Sequence, residues 1–181
     1  MSKKVLDSTV ITAVAREIRS VDLSPMICGA YEITVTEDVE AEALGCDLSS
    51  ELLKHAEVVK GTDPKYVALS DHLSRRYMLM GAGERSCIAA SVMLAANGIE
   101  NYLVTDDRQA RRVIERLHQD TDAETAIGLR MPKIRSTGTV GLISRLRRRG
   151  LITDADCTAI KKDLSSGSFR ITAEVLSSLC T

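Results

Sequence analysis

The stretch "NYLVTDDRQARRVIERLHQ", residues 101–119, carries the pattern that decides the fold. It opens with a short apolar run typical of a buried strand and continues with apolar residues at helical spacing. Two adjacent carboxylates, Asp106 and Asp107, stand at the junction. A strand that leads through acidic residues into a helix is typical of a parallel α/β sheet, in which ligands bind beyond the carboxyl ends of the strands.

The same order recurs at the N-terminus. "KKVLD" (3–7) is predicted as a strand, and "STVITAVAREIRS" (8–20) as a helix capped by Ser8 or Thr9. "VDLSPMICGA" (21–30) is interpreted as a connector. "YEITVT" (31–36) is predicted as a second strand, after which Thr36 caps an acidic helix that ends near Gly45.

The remaining segments are mostly helical. "SSELLKHAEVVKG" (49–61) predicts a short helix and then an extended piece, and "LRMPKIRS" (129–136) is predicted to be extended. Helices are predicted over 63–80, where Asp63 caps and Pro64 starts the helix, over 84–98, 107–119, 137–150, 153–164 and 168–179. The predicted fold class is therefore α/β, a sandwich around a mostly parallel sheet.

Composition narrows the function classes. Only 3% of the 181 residues are aromatic, so a base-stacking platform for single strands is not expected. Five scattered cysteines, none in CxxC spacing, favour neither a disulfide framework nor a zinc site. The sequence has no signal-peptide pattern and no apolar run of transmembrane length, so we expect a cytoplasmic protein without a membrane partner.

Charge is distributed unevenly along the chain. Residues 20–53 contain eight acidic residues and no Lys or Arg, whereas residues 101–150 contain eleven basic and six acidic residues. An acidic region beside a basic one suits a site that holds cations next to a surface that holds phosphates, and equally suits two solvated faces.

Acidic residues occur at the ends of several predicted elements. Asp7 and the doublet 106–107 follow strands, while Glu42 and Glu84 lie in helices near their starts. Carboxylates brought together in this way favour Mg²⁺ or Mn²⁺, since hard cations prefer oxygen ligands. Each acid also has a simpler interpretation, as a helix cap for Asp7 and Asp107, a solvated helix acid for Glu42 and a favourable first-turn charge for Glu84.

With these residues in place, the chain resembles the PIN-domain family, metal-dependent ribonucleases known as toxins of VapBC-type toxin–antitoxin systems. The resemblance lies in "VLDSTVITAV", "ITVTEDVEAEAL", "GAGERSCIAAS" and "LVTDDRQARRV". "STGTVGLISRLRRRGLI" is similar to a segment of a subgroup with a helical C-terminal extension. The resemblance implies a three-layer α/β/α sandwich over residues 1–135 and a helical extension over 136–181.

The resemblance also implies a site. Its catalytic residues would be Asp7, Glu42, Glu84 and Asp107. Its ligands for Mg²⁺ or Mn²⁺ would be Asp7, Glu84, Asp106 and Asp107. RNA would bind to Arg85, Arg108, Arg111 and Arg112, with Arg145, Arg147, Arg148 and Arg149 behind them. The implied partners are RNA, a small antitoxin protein and a second copy of the chain.

Other classes are open at this stage. The main alternative is a catalytically silent PIN fold that only binds nucleic acid or protein. A haloacid-dehalogenase phosphatase would have an acid two residues after Asp7, where this chain has Thr9. A topoisomerase–primase domain would have DxD in place of the adjacent doublet, and a response-regulator receiver would have a late lysine after its last strands.

Overall fold

The structure is a computed structural model that describes residues 2–46, 51–167 and 172–180. Its centre is a sheet of five strands that are all parallel within the described residues. The strands are β1 Lys3–Leu6, β2 Glu32–Thr36, β3 Glu57–Val59, β4 Asn101–Val104 and β5 Arg135–Thr137.

The strand order is β3-β2-β1-β4-β5. The chain builds outward from β1 to β3 on one side, then returns to place β4 on the other side of β1. The order therefore reverses between β1 and β4, and the crevice at the carboxyl ends of such a strand pair is where α/β sheets bind ligands. Asp7 follows β1 and Asp106 follows β4 at this position.

Helices cover both faces of the sheet. Burial of Lys4, Val5 and Leu6, which point alternately to opposite faces of β1, indicates cover on both sides. The α-helices are α1 Ser8–Thr12, α2 Ser24–Ala30, α3 Glu37–Gly45, α4 Glu51–Lys54, α5 Pro64–Arg76, α6 Ala82–Ala96, α7 Arg108–Leu117, α8 Thr121–Ile127, α9 Thr139–Arg148, α10 Asp154–Ser166 and α11 Ala173–Ser177. The predicted α/β/α sandwich is confirmed.

Several local predictions are also confirmed. Thr36 caps α3 by accepting from the Val39 N–H, and Asp63 caps α5, which Pro64 begins. Thr153 and Asp156 form the expected capping box of α10. Gly150 adopts φ 71°, the left-handed conformation that follows the end of α9.

Other predictions are wrong. Residues 21–30 are not a plain connector, because α2 forms there with Pro25 in its first turn. Asp7, rather than Ser8 or Thr9, caps α1, and the helix turns into a π-helix over Ala13–Glu17. Helix α8, capped by Asp120, was not predicted at all.

The C-terminal helices share the core of the sheet. Val140, Leu142 and Leu146 of α9 and Ile160 of α10 belong to one continuous buried cluster with the strands. The boundary predicted after residue 135 falls within β5. Of the last predicted helix, residues 168–171 lie outside the described part, and the rest forms α11 and a 3₁₀ turn over Ser178–Cys180. None of the described helices is long and apolar enough to cross a membrane.

Candidate active site

Asp7 lies at the centre of the crevice and is fully buried. One carboxylate oxygen accepts from the Ser8 N–H at 2.8 Å, and the other accepts from the hydroxyls of Thr9 at 2.9 Å and Thr105 at 2.8 Å. Burial raises the pKa of Asp7, the three hydrogen bonds lower it, and the charge of Glu42 raises it. The site thus holds a carboxylate in surroundings that favour its protonated form unless a cation is near.

Glu42 and Glu84 approach from two helices. Glu42 is exposed on α3, and its carboxylate accepts from the Gly83 N–H at 3.1 Å, which joins α3 to the first turn of α6. Glu84, which directly follows Gly83, is half-buried. Burial raises the pKa of Glu84, and the negative charges of Asp7, Glu42 and Asp107 raise it further.

Two close approaches of backbone to carboxylate shape this side of the site. A Cβ atom at Gly83 would lie 2.8 Å from both carboxylate oxygens of Glu42, so only glycine leaves the room that this carboxylate occupies. A Cβ at Gly81 would collide with the Glu84 carboxylate in the same way. Gly81 and Gly83 therefore leave space for the carboxylates of Glu84 and Glu42, respectively. The same segment, residues 81–83, begins α6.

Asp107 joins the site through Thr105. The Asp107 N–H donates to the Thr105 hydroxyl oxygen at 3.1 Å, and that hydroxyl donates to Asp7. The Asp107 carboxylate also accepts from the Ala110 N–H at 2.6 Å and so caps α7. Asp107 is therefore a helix cap that lies close enough to Glu84 for its charge to act on it.

Asp106 faces a different neighbour. Its carboxylate accepts from the N–H of Thr139 at 3.0 Å and from the Thr139 hydroxyl, so it lies at the start of α9. Burial raises the pKa of Asp106, while Thr139 and the charge of Arg111 lower it. The two acids of the doublet are thus directed to two helices, Asp107 to its own helix and Asp106 to α9.

A polar groove of about 430 Å³ opens beside the doublet. It lies between α7 and α9 and is lined by Asp106, Arg108, Arg111, Glu115 and, at and just beyond the end of β5, residues 136–138, among others. Arg111 also donates to the Asp106 carbonyl at 3.3 Å. Two of the four arginines expected to bind RNA therefore line a groove next to the acids.

The other basic residues lie elsewhere. Arg85 donates to the Met80 carbonyl and thereby supports the turn before α6. Arg112 is exposed on α7 but does not line the groove. Arg145 and Arg149 of α9 lie over the rings of Tyr102 and Tyr31, at the opposite end of the strands.

In the positions they occupy, the acids around Asp7 do not form a complete metal-binding site. Within the described residues, no group of three or more His, Cys, Asp or Glu side chains is positioned to hold a metal ion. The donor chemistry does suit a hard divalent cation, because all four side chains are carboxylates and three of them raise the pKa of the fourth.

A family model described as a PIN domain matches residues 3–181, nearly the whole chain. The chain belongs to the PIN-domain family. PIN domains are generally nucleases and usually use a divalent metal. Comparison with curated proteins gave no match, and neither did comparison with solved structures.

Three polar residues of this PIN domain escaped the sequence analysis. Thr105 bridges Asp7 and Asp107, Thr9 donates to Asp7, and Thr139 holds Asp106. Thr9 was considered only as a helix cap and as a position that lacks a second acid. Their positions were the available signal, since Thr9 follows Asp7 by two residues and Thr105 directly precedes the doublet, but Thr139 is brought in only by the pairing of β4 with β5.

Proposed function

We propose that this protein is a metal-dependent endoribonuclease that hydrolyses RNA phosphodiester bonds at the acids around Asp7. The observation that carries the proposal is the convergence of Asp7, Glu42, Glu84 and Asp107 at the reversal point of the sheet. These acids come from four separate segments, and three of them are close enough to act on the charge of the fourth. Structural caps alone give no reason for four like charges to gather.

In this proposal, Mg²⁺ or Mn²⁺ is held by Asp7 and Glu84 together with Glu42 and one or both acids of the doublet. A bound divalent ion would supply a water of lowered pKa and neutralise charge on the phosphate. Asp7 is the fixed member, because its three hydrogen bonds hold both carboxylate oxygens. Glu42 is the adjustable member, because it is exposed and has a single N–H donor in Gly83.

The RNA backbone is proposed to run through the groove between α7 and α9. Arg108 and Arg111 line it, and guanidinium groups bind phosphates through paired hydrogen bonds. Arg112 is a further phosphate contact on the exposed face of the same helix. Asp106 lines the same groove as Arg111, so a phosphate held by Arg111 would lie next to an acid of the doublet.

The experiment compares two glutamate variants of the same helix. Glu42→Gln should lower the affinity for Mn²⁺ and the rate of RNA cleavage by about tenfold or more, because a charged ligand becomes neutral. Glu37→Gln on exposed α3 removes one charge outside the site and should leave both unchanged. Equal cleavage by the two variants, or full cleavage by wild type in excess chelator, would contradict the proposal.

A second proposal concerns the toxin role and is supported by exposed apolar side chains in the turn that precedes Glu84. Met78 and Leu79, just before Gly81, are 85% and 91% exposed. Apolar side chains at the rim of an active site suit a protein partner that covers it. We therefore propose that a small antitoxin binds there.

The test uses the product of the adjacent gene, co-expressed with this chain. Met78→Ser with Leu79→Ser should abolish complex formation and release nuclease activity. Leu151→Ser with Ile99→Ser changes apolar residues that are 42% and 37% exposed and do not line the groove, and should leave the complex intact. Sedimentation of the same variants without partner tests the proposed homodimer. A complex that survives the first pair excludes this rim as its binding surface.

A further inference from the structure

A second cavity, of about 420 Å³, lies at the opposite end of the sheet. Lys4 lines it, three residues before Asp7 and therefore about 10 Å away along the strand. Its other walls come from β4 and α9, through Tyr102, Arg145, Arg148 and Arg149. This cavity takes no part in the proposed nuclease site.

Cations and rings alternate across this cavity. The Lys4 ammonium lies 4.6 Å from the centre of the Tyr31 ring and 4.0 Å from that of Tyr102. The Arg149 guanidinium lies 4.9 Å from Tyr31, and that of Arg145 lies 4.6 Å from Tyr102. The Arg135 guanidinium also lies 5.6 Å from the centre of the Tyr102 ring, so four positive groups contact the two rings, and these contacts hold the groups in place.

The positive charge is not matched by carboxylates. Glu100 is the one acid that lines the cavity, and it is exposed and lies 3.5 Å from Arg135. Lys4 is 1% exposed and donates to the neutral Ser2 hydroxyl at 2.8 Å. Among the described residues no carboxylate forms an ion pair with Lys4, Arg145 or Arg149. Burial and the charges of Arg145 and Arg149 lower the pKa of Lys4 to about 8, although Glu100 opposes them.

We infer that this cavity binds a terminal phosphate group, either of a small phosphorylated molecule or of an RNA strand end. Guanidinium groups bind phosphate through two parallel hydrogen bonds, and several cations that line one open, solvent-accessible cavity favour a dianion. Cations already lie 4.0–4.9 Å from the centres of both tyrosine rings, so an attached base would have to displace these contacts in order to stack. Recognition is therefore of the phosphate and not of the base.

The experiment measures binding to the intact protein by calorimetry at constant ionic strength. The probes are inorganic phosphate, adenosine monophosphate, and one short RNA with either a 5′-phosphate or a 5′-hydroxyl. Wild type should bind phosphate saturably, and Arg145→Gln with Arg149→Gln should weaken binding about tenfold or more. Lys65→Gln with Arg75→Gln, both exposed on α5, removes the same charge and should change binding by less than about twofold.

The outcomes separate the two sources of phosphate. Tighter binding of the 5′-phosphate RNA than of the 5′-hydroxyl RNA identifies the strand end, and binding of the small probes without that difference identifies a small molecule. Should the double arginine variant fold poorly, Arg148→Gln provides a milder change in the same cavity and should also weaken phosphate binding. Absence of saturable phosphate binding by wild type, or equal binding by the arginine and control variants, would overturn the inference and leave the cation–ring stack a purely structural feature.

Discussion

The Thr105 hydroxyl donates to the Asp7 carboxylate at 2.8 Å and accepts from the Asp107 N–H at 3.1 Å. A single side chain thus connects the acid that follows β1 to one that follows β4. The two strands lie side by side because the chain reverses its direction of growth between them. The position of the proposed site is therefore a consequence of strand order.

Replacement of Thr105 tests this connection. Thr105→Val keeps the shape but leaves the buried Asp7 oxygen and the Asp107 N–H without this partner, so the free energy of unfolding should fall by about 1–3 kcal/mol. Thr34→Val is the matched control. Thr34 is also buried, but its hydroxyl has no hydrogen-bond partner among the described residues, so the loss should be absent or reversed. Chemical denaturation measures both, and similar losses in the two variants would count against a special role for Thr105.

Replacement of Gly83 tests whether the position of the Glu42 carboxylate matters. Gly83→Ala places a methyl group 2.8 Å from both oxygens of the Glu42 carboxylate, which must then move. We expect weaker Mn²⁺ binding and slower RNA cleavage. Gly29→Ala in α2 meets no atom within 4 Å and should raise stability by up to about 1 kcal/mol without changing either property. Normal Mn²⁺ affinity and cleavage rate in folded Gly83→Ala would show that metal binding does not depend on the position in which Gly83 holds the Glu42 carboxylate.

The pH dependence of stability should reveal the crowded acids. The pKa of Asp7 is raised, so the folded, metal-free protein holds this proton to higher pH than the unfolded chain does. The stabilising contribution of Asp7 to the folded protein is present below its ordinary pKa of 3.8. It is lost as pH rises through the pKa that Asp7 has in the folded protein. Asp7→Asn cannot lose a proton, so it should gain stability relative to wild type as pH rises through this window. Parallel denaturation curves at several pH values test this, and a constant difference would contradict it.

The arginine groove should determine how RNA binding depends on salt. Arg108→Gln with Arg111→Gln should reduce the slope of log affinity against log salt by about two, because each lost phosphate contact retains one counterion. Arg112→Gln, outside the groove, should reduce it by at most about one. Filter binding with an inactive variant at several salt concentrations provides the slopes. An unchanged slope in the double variant would show that RNA takes another path.

Lys4 should make stability rise in alkaline solution. Its pKa is lowered from 10.5 to about 8, so between these values the folded protein releases a proton that the unfolded chain retains. This contribution of Lys4 to stability should therefore grow above about pH 8. Burial raises the pKa of the Cys28 and Cys87 thiols above the usual 9.0 and that of Tyr66 to about 12, so these groups act in the opposite direction from about pH 9 upward. Lys4→Met should remove the increase, and a variant that retains it would show that another group titrates.

Sequence patterns predicted the regular parts of this fold well. Strong caps such as Asp63 and the Thr153–Asp156 box, and apolar runs such as β4, act locally and can be identified from neighbouring residues. Helix α2 was missed although Pro25 stands in its first turn, where proline is favoured. Helix α8 was missed because its seven residues, mostly small or acidic, carry little periodicity.

The candidate site was predictable as a set of acids but not as an arrangement. The positions of Asp7, Glu42, Glu84 and Asp107 follow from strand and helix ends, which the sequence marks. The divergence of Asp106 and Asp107 does not, because it depends on β5 pairing beside β4 and bringing Thr139 close. The cavity around Lys4 was equally hidden, since Tyr31, Tyr102 and Arg145 are far apart in sequence and meet only at the sheet end.

The most direct test of the central claim is cleavage by Asp7→Asn. Purified wild type and variant are compared by circular dichroism, by calorimetric titration with Mn²⁺, and by single-turnover cleavage of a labelled RNA with and without chelator. The proposed function predicts a folded variant that binds Mn²⁺ at least about tenfold more weakly and cleaves no RNA, while wild-type cleavage requires the metal. RNA cleavage by folded Asp7→Asn at the wild-type rate would contradict it.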